Sequence, residues 1–134
     1  MELTTTVEAT PVPVTVIHVS GILNIETARA FEKYVKDAIA AGASYVLLDM
    51  QQLSFMSSEG IRALNSIFRA LDASSGINNA MAKDLLDGTY KSPHLKLVNL
   101  RPNVVEVLNL VGMTTFLEIH PDMASALASF KGRT

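Results

Sequence analysis

The residues of this chain whose types and spacing could do chemistry are gathered at Ser57-Ser58-Glu59-Gly60. The apolar run Tyr45-Val46-Leu47-Leu48 leads through Asp49 and a short loop to two hydroxyls and a carboxylate that open a helix. A serine placed there caps the helix by accepting an orphan amide, and an acid in the first turn complements the helix dipole. Gly60 fits that role less well, because glycine inside a first turn costs up to about 1 kcal/mol relative to alanine. A glycine in this place is expected where some group must approach the backbone closely.

Other chemistries find little support. His18, His94 and His120 are far apart, and no two stand at i,i+3 or i,i+4. His18 reads as a satisfied or edge histidine within a strand, and His120, just before Pro121, reads as a turn residue. Acidic residues are scattered, mostly over helix surfaces, which argues against a metal cluster or a general acid/base pair. There is no phosphate-cradling GxxxxGK[ST] and no GxGxxG after a strand. The chain has no cysteine, so disulfides, thiolate zinc sites and a cysteine nucleophile are excluded together. Ser58 as a nucleophile would need a histidine base, and none is close in sequence. The six methionines are dispersed and read as core filler. No enzyme activity, cofactor or metal is expected.

The elements that must hold the corner follow from periodicity. With 134 residues, 49% of them hydrophobic and 18% charged, the chain is the size and composition of one globular domain. A formal charge of −2 gives no electrostatic basis for binding nucleic acid or an anionic membrane. No apolar run approaches the roughly 20 residues that span a bilayer, and the N-terminus does not resemble a signal peptide, so a cytoplasmic protein is expected. Val14–Val19 is β-branched and stops at Ser20-Gly21, and Leu3–Glu8 is a possible shorter edge partner beyond Pro11 and Pro13. Phe31, Val35, Ala38 and Ile39 form one stripe of a helix over Glu26–Ala41, with Glu32 and Lys36 as an i,i+4 pair. Strands are expected at Tyr45–Leu48, Leu95–Val98 and Phe116–Ile119. Helices are expected from Ser58, from Pro102 and after Pro121-Asp122. Strands alternating with helices imply an α/β domain with a mostly parallel, mixed sheet of about five strands and about four helices.

Four segments in this order resemble the STAS domain family of anti-sigma factor antagonists. Asp49, Leu53, Phe55 and Ser57-Ser58-Glu59-Gly60-Ile61 resemble its strand-loop-helix signature, and Val19-Ser20-Gly21-Ile22-Leu23-Asn24 an element ending its second strand. Leu97–Pro102 and Val104–Met113 resemble its third-helix block. The match covers about residues 14–119 of a single domain at 1–134. A longer connection at about 75–94 is an insertion, in which Ala80, Met81, Leu85 and Leu86 suggest further helical turns.

The resemblance implies a non-enzymatic, protein-binding module of transcription regulation in bacteria. It would bind an anti-sigma factor, usually a serine kinase, and be released when that kinase phosphorylates it. The docking residues carried over are Ser57, Ser58, Glu59 and Gly60, with Gly21, Leu23 and Asn24 beside them. The family's phosphoacceptor directly precedes the signature glycine, and here that position is Glu59, which cannot accept phosphate. The chain then resembles the phosphorylated state permanently, docks a partner that tolerates a carboxylate, or uses Ser58 or Ser57 as acceptor in a shifted register. The second is favoured, since a protein locked off has little use. The insertion could extend the second helix, contact a partner or support a homodimer. The alternative function is a small-ligand sensor for a nucleotide or lipid, which would carry an apolar cavity.

Overall fold

A computed structural model describes residues 1–10, 12–75 and 91–130. Strand β1 (Glu2–Ala9) pairs antiparallel with β2 (Pro13–Leu23), and helix α1 (Ala28–Ala40) leads to β3 (Val46–Met56). Helix α2 (Ser58–Ser75) follows, then β4 (Leu95–Val98), α3 (Pro102–Leu110), a 3-10 turn (Met113–Thr115), β5 (Glu118–His120) and α4 (Met123–Ala128). The expected helical turns around Ala80 to Leu86 lie outside the described residues.

The sheet order is β1-β2-β3-β4-β5, with β2 to β5 all parallel. Successive parallel strands laid down in one direction through right-handed crossovers place every crossover helix on the same face. The core obeys this. Ile17, Val19, Leu48, Met50 and Leu97 turn to a face where Phe31 and Val35 of α1, Leu64 and Ile67 of α2, and Val104 and Leu108 of α3 are packed. The alternate residues Val14, Val16, Leu47 and Val98 face the other way and meet Ala126 and Phe130 from the C-terminal segment, with Met123 and Leu127 packed at the margin.

That thinner second layer is held by Lys96, which is buried on the α4 side. Its Nζ donates to the Ser129 carbonyl at 2.9 Å and to Ser129 Oγ at 3.0 Å. It also lies 3.3 Å from Glu118 Oε2 and 4.8 Å from the centre of the Phe130 ring. A buried amine is tolerated when its donors are satisfied. Lys96→Ala is expected to cost about 2–3 kcal/mol in urea denaturation, through lost stem packing and stranded acceptors. Lys96→Met, which keeps the stem, should cost clearly less.

Several boundaries differ from the sequence expectation. β3 continues through Asp49–Met56, where the sequence suggests a connection, β2 runs past Ser20-Gly21 to Leu23, α1 starts at Ala28 rather than Glu26, and β1 is a full eight-residue strand. The last strand starts at Glu118 rather than Phe116, because the 3-10 turn carries Phe116 inward to stack on Phe68, ring centres 5.9 Å apart. Pro102 does open α3, and Gly112 stands beyond its end at φ 78°, the left-handed conformation that lets the chain leave a helix. Among the described residues no helix is long and apolar enough to cross a membrane.

Candidate functional site

The C-terminal ends of β2 and β3 run side by side, Ile22 against Phe55 and Leu23 against Met56. The two strand-to-helix loops are therefore neighbours at the carboxyl edge of the parallel sheet, where sites of open α/β sheets are built.

The α2 side is organised by Ser57. Its Oγ accepts from the Glu59 amide at 3.2 Å, and its carbonyl accepts from the Ile61 amide at 3.1 Å, so Ser57 is the helix cap the sequence suggested. Its own amide donates to the Leu23 carbonyl at 2.8 Å, tying the two loops together. Ser58 is exposed, and its hydroxyl makes no hydrogen bond among the described residues. Glu59 is half-buried, with Oε1 and Oε2 at 3.4 and 3.5 Å from Arg62 Nη1.

Gly60 is buried, and what approaches it is the chain itself. A Cβ there would lie 2.9 Å from Leu23 Cβ and 2.9 Å from Met56 Cγ. Leu23 is fully buried as well. These two residues therefore shape the corner from beneath and offer no surface to a partner. Gly21, at φ 111°, needs its left-handed backbone where the β2–β3 ladder is irregular, and its carbonyl accepts from Ser54 Oγ at 3.2 Å.

Asn24 organises the α1 side. Its Oδ1 accepts from the amides of Glu26 at 2.9 Å and Thr27 at 3.2 Å, while Thr27 Oγ1 accepts from the Asn24 amide at 3.0 Å. This reciprocal arrangement is a capping box, placed one turn ahead of the regular helix. Asn24→Ala should cost about 1 kcal/mol in thermal unfolding.

Sequence reasoning missed the apolar rim. Ile25 is 77% exposed, Phe55 48% and Ile22 41%, all beside the cap. Large apolar side chains left in water near one another are a candidate interaction surface, although Leu110 and Val111 at the end of α3 are exposed as well. Phe55 and Ile22 were visible in the sequence as apolar residues, but the extra residues in the strand ladder that turn them outward were not.

A groove of about 590 Å³ runs from this rim between α1 and α2, lined by Ile25, Arg29, Lys33, Glu59 and Arg62 among others. Lys36 Nζ donates to Glu32 Oε2 on its own helix at 2.8 Å and, across the groove, to Ser66 Oγ at 2.7 Å. The hydrogen bond from Lys36 lowers the Glu32 carboxyl below its ordinary value of 4.5. A carboxyl lowered on folding stabilises above its unfolded value, so this brace weakens as the pH falls below 4.5. The apolar depression on α3, about 500 Å³ and lined by Leu100, Pro102, Val105 and Leu110, is a surface hollow. Neither is the enclosed apolar cavity that a lipid or nucleotide sensor would carry.

The histidines make their bonds elsewhere. His18 Nδ1 lies 2.8 Å from Asp49 Oδ2, His94 Nδ1 lies 3.1 Å from the Ser44 carbonyl, and His120 Nε2 lies 3.0 Å from Glu118 Oε1. His120 stands in β5 rather than in a turn. Among the described residues no group of three potential ligands could hold a metal ion.

The family model of the STAS domain matches residues 5–82, more than half of the chain. A solved structure from Thermotoga maritima, of a protein proposed to be an anti-sigma factor antagonist, is 18% identical with a TM-score of 0.76, over 97% of this chain and 95% of that one. An anti-sigma factor antagonist from Mycobacterium paratuberculosis is 21% identical with a TM-score of 0.71, over 98% and 96%. The antagonist SpoIIAA in its unphosphorylated form is 18% identical with a TM-score of 0.65, over 98% and 100%. At these identities the likeness is one of fold. No curated protein sequence matches the chain.

Proposed function

Because the chain belongs to the STAS domain family, we propose that it is a protein-binding regulatory module that acts by partner switching as an anti-sigma factor antagonist or a paralogue of one. The observation that supports this reading most is the exposed Ser58 at the start of α2, with Ile22, Ile25 and Phe55 exposed at the adjoining strand ends and loop. Apolar anchors around a polar centre suit a protein partner, and the half-buried Glu59 and exposed Arg62 give it charge selectivity. The partner is a serine-kinase-like anti-sigma factor, which would meet Ser57, Ser58 and Glu59 at the start of α2 and the Gly21 to Asn24 loop beside it.

Glu59 occupies the family's acceptor position and keeps one negative charge there permanently. A phosphate at this corner would be accepted by the helix N-terminus, so release by phosphorylation would come from about −1.5 to −2 of added charge on the docking face rather than from internal strain. Of the two hydroxyls left, Ser58 is the better acceptor, since Ser57 Oγ is committed to the Glu59 amide.

Calorimetric titration with the serine-kinase-like anti-sigma factor of the same genome tests the reading, and saturable binding is expected. Incubation of the pair with ATP, followed by peptide mapping, should place any phosphate on Ser58. No heat of binding with a folded partner would overturn the proposal.

A further inference from the structure

Strand β1 forms one edge of the sheet, and apart from Glu2 and Glu8 it lacks the devices that usually keep an edge single. Its eight residues pair with β2 in one unbroken antiparallel register, with no bulge to twist the edge away. Glu2–Ala9 contains no proline, lysine or arginine. All but Leu3 are exposed, and Val7 is 66% exposed. The opposite edge, β5, is only three residues long. Short strands, bulges, prolines and lysines are what blunt a natural edge. Among the described residues nothing pairs with the outer side of β1, so its outward amides and carbonyls face solvent.

We propose that β1 is a self-association edge, on which a second copy of this chain lays its own β1 antiparallel about a two-fold axis through Thr6. The two five-stranded sheets then run on as one. In an antiparallel ladder, residues directly opposite both direct their main-chain groups toward the partner or both away. Between two copies of one strand this makes the paired residue numbers sum to an even value, so the axis passes through a residue. An axis through Thr5 sets Glu2 opposite Glu8 twice, and like charges directly opposite are destabilising. An axis through Thr4 avoids this but pairs only Glu2–Thr6 of the strand. An axis through Thr6 pairs Leu3–Ala9, sets Thr5 against Val7 and Thr4 against Glu8, and opposes no like charges. β-Branched residues thus face one another through the centre of the pairing. An axis through Val7 also opposes no like charges but pairs only Thr5–Ala9, so among the registers with no like charges opposed the Thr6 one pairs most of the strand with itself, as an isologous interface requires.

Since the chain has no cysteine, single substitutions report the register. Opposed Cα atoms on the axis lie about 4.5–5.5 Å apart, within disulfide range. Thr6→Cys should therefore form a disulfide-linked dimer under mild oxidation at least about tenfold faster than Thr4→Cys or Thr5→Cys, whose partners are held out of that range. In sedimentation equilibrium the unmodified chain should gain mass with concentration towards twice the monomer, and Thr6→Lys should stay monomeric. A chain that remains monomeric at millimolar concentration, equal cross-linking at all three positions, or fastest cross-linking at Thr4 or Thr5 would each overturn the proposal.

Discussion

Glu59→Arg is expected to abolish binding of the anti-sigma partner while shifting folding stability by no more than about 1 kcal/mol. The carboxylate stands in the first turn of α2 and shares Arg62 Nη1 at 3.4 Å. Its replacement removes one favourable dipole contact, worth about 0.3–1 kcal/mol, and leaves the core untouched. On the docking face the same change reverses a charge at the centre of the exposed rim. Opposed like charges across an interface cost several kcal/mol, so affinity should fall at least about 100-fold. Glu59→Gln separates the readings of that charge. If the partner uses the carboxylate, the amide binds more weakly; if the carboxylate stands in for a phosphate that keeps the partner off, the amide binds more tightly. Paired calorimetry and thermal melts of the two variants check both the size and the sign.

Gly60→Ala reverses the usual rule for glycine in a helix. At an open helical position alanine would stabilise by up to about 1 kcal/mol. Here the new methyl would stand 2.9 Å from both Leu23 Cβ and Met56 Cγ, each in the buried core. Met56 can rotate away, but Leu23 Cβ is fixed to the backbone whose carbonyl holds the Ser57 amide at 2.8 Å. Overpacking of this kind costs about 1–3 kcal/mol, so the melting temperature should fall rather than rise. Since the same contact sets the spacing of the two loops, partner affinity should fall with it. A variant as stable as the parent would show that Leu23 and Gly60 do not brace the corner.

The alternation of elements was legible because α1, α2 and α3 each carry one apolar stripe, and the parallel strands β3 and β4 are apolar on both faces. The extent of β3 was hidden. Its burial runs in pairs of exposed residues, Gln51-Gln52 and Ser54-Phe55, between Met50, Leu53 and Met56, because the β2–β3 ladder shifts register. A strict two-residue alternation therefore never appears. The length of β1 was obscured for another reason: exposed on both faces, it has no alternation to read.

At the site, the Ser57 cap was readable from residue type, since few residues accept an N2 amide. The meaning of Gly60 was only half readable. The sequence shows that something must come close, but that Leu23 fills the space depends on the pairing of β2 with β3. The exposure of Ile25, Phe55 and Ile22 was not readable at all, because an apolar residue in a strand or first turn is ordinarily taken as core.

Mapping of the anti-sigma partner onto the isotopically labelled chain by amide chemical-shift perturbation tests the docking corner most directly. Saturating partner should shift or broaden the amides of Ile22 to Ile25 and of Phe55 to Arg62, leaving α4 and β5 unmoved. Perturbations confined to α3 or α4, with the start of α2 silent, would contradict it.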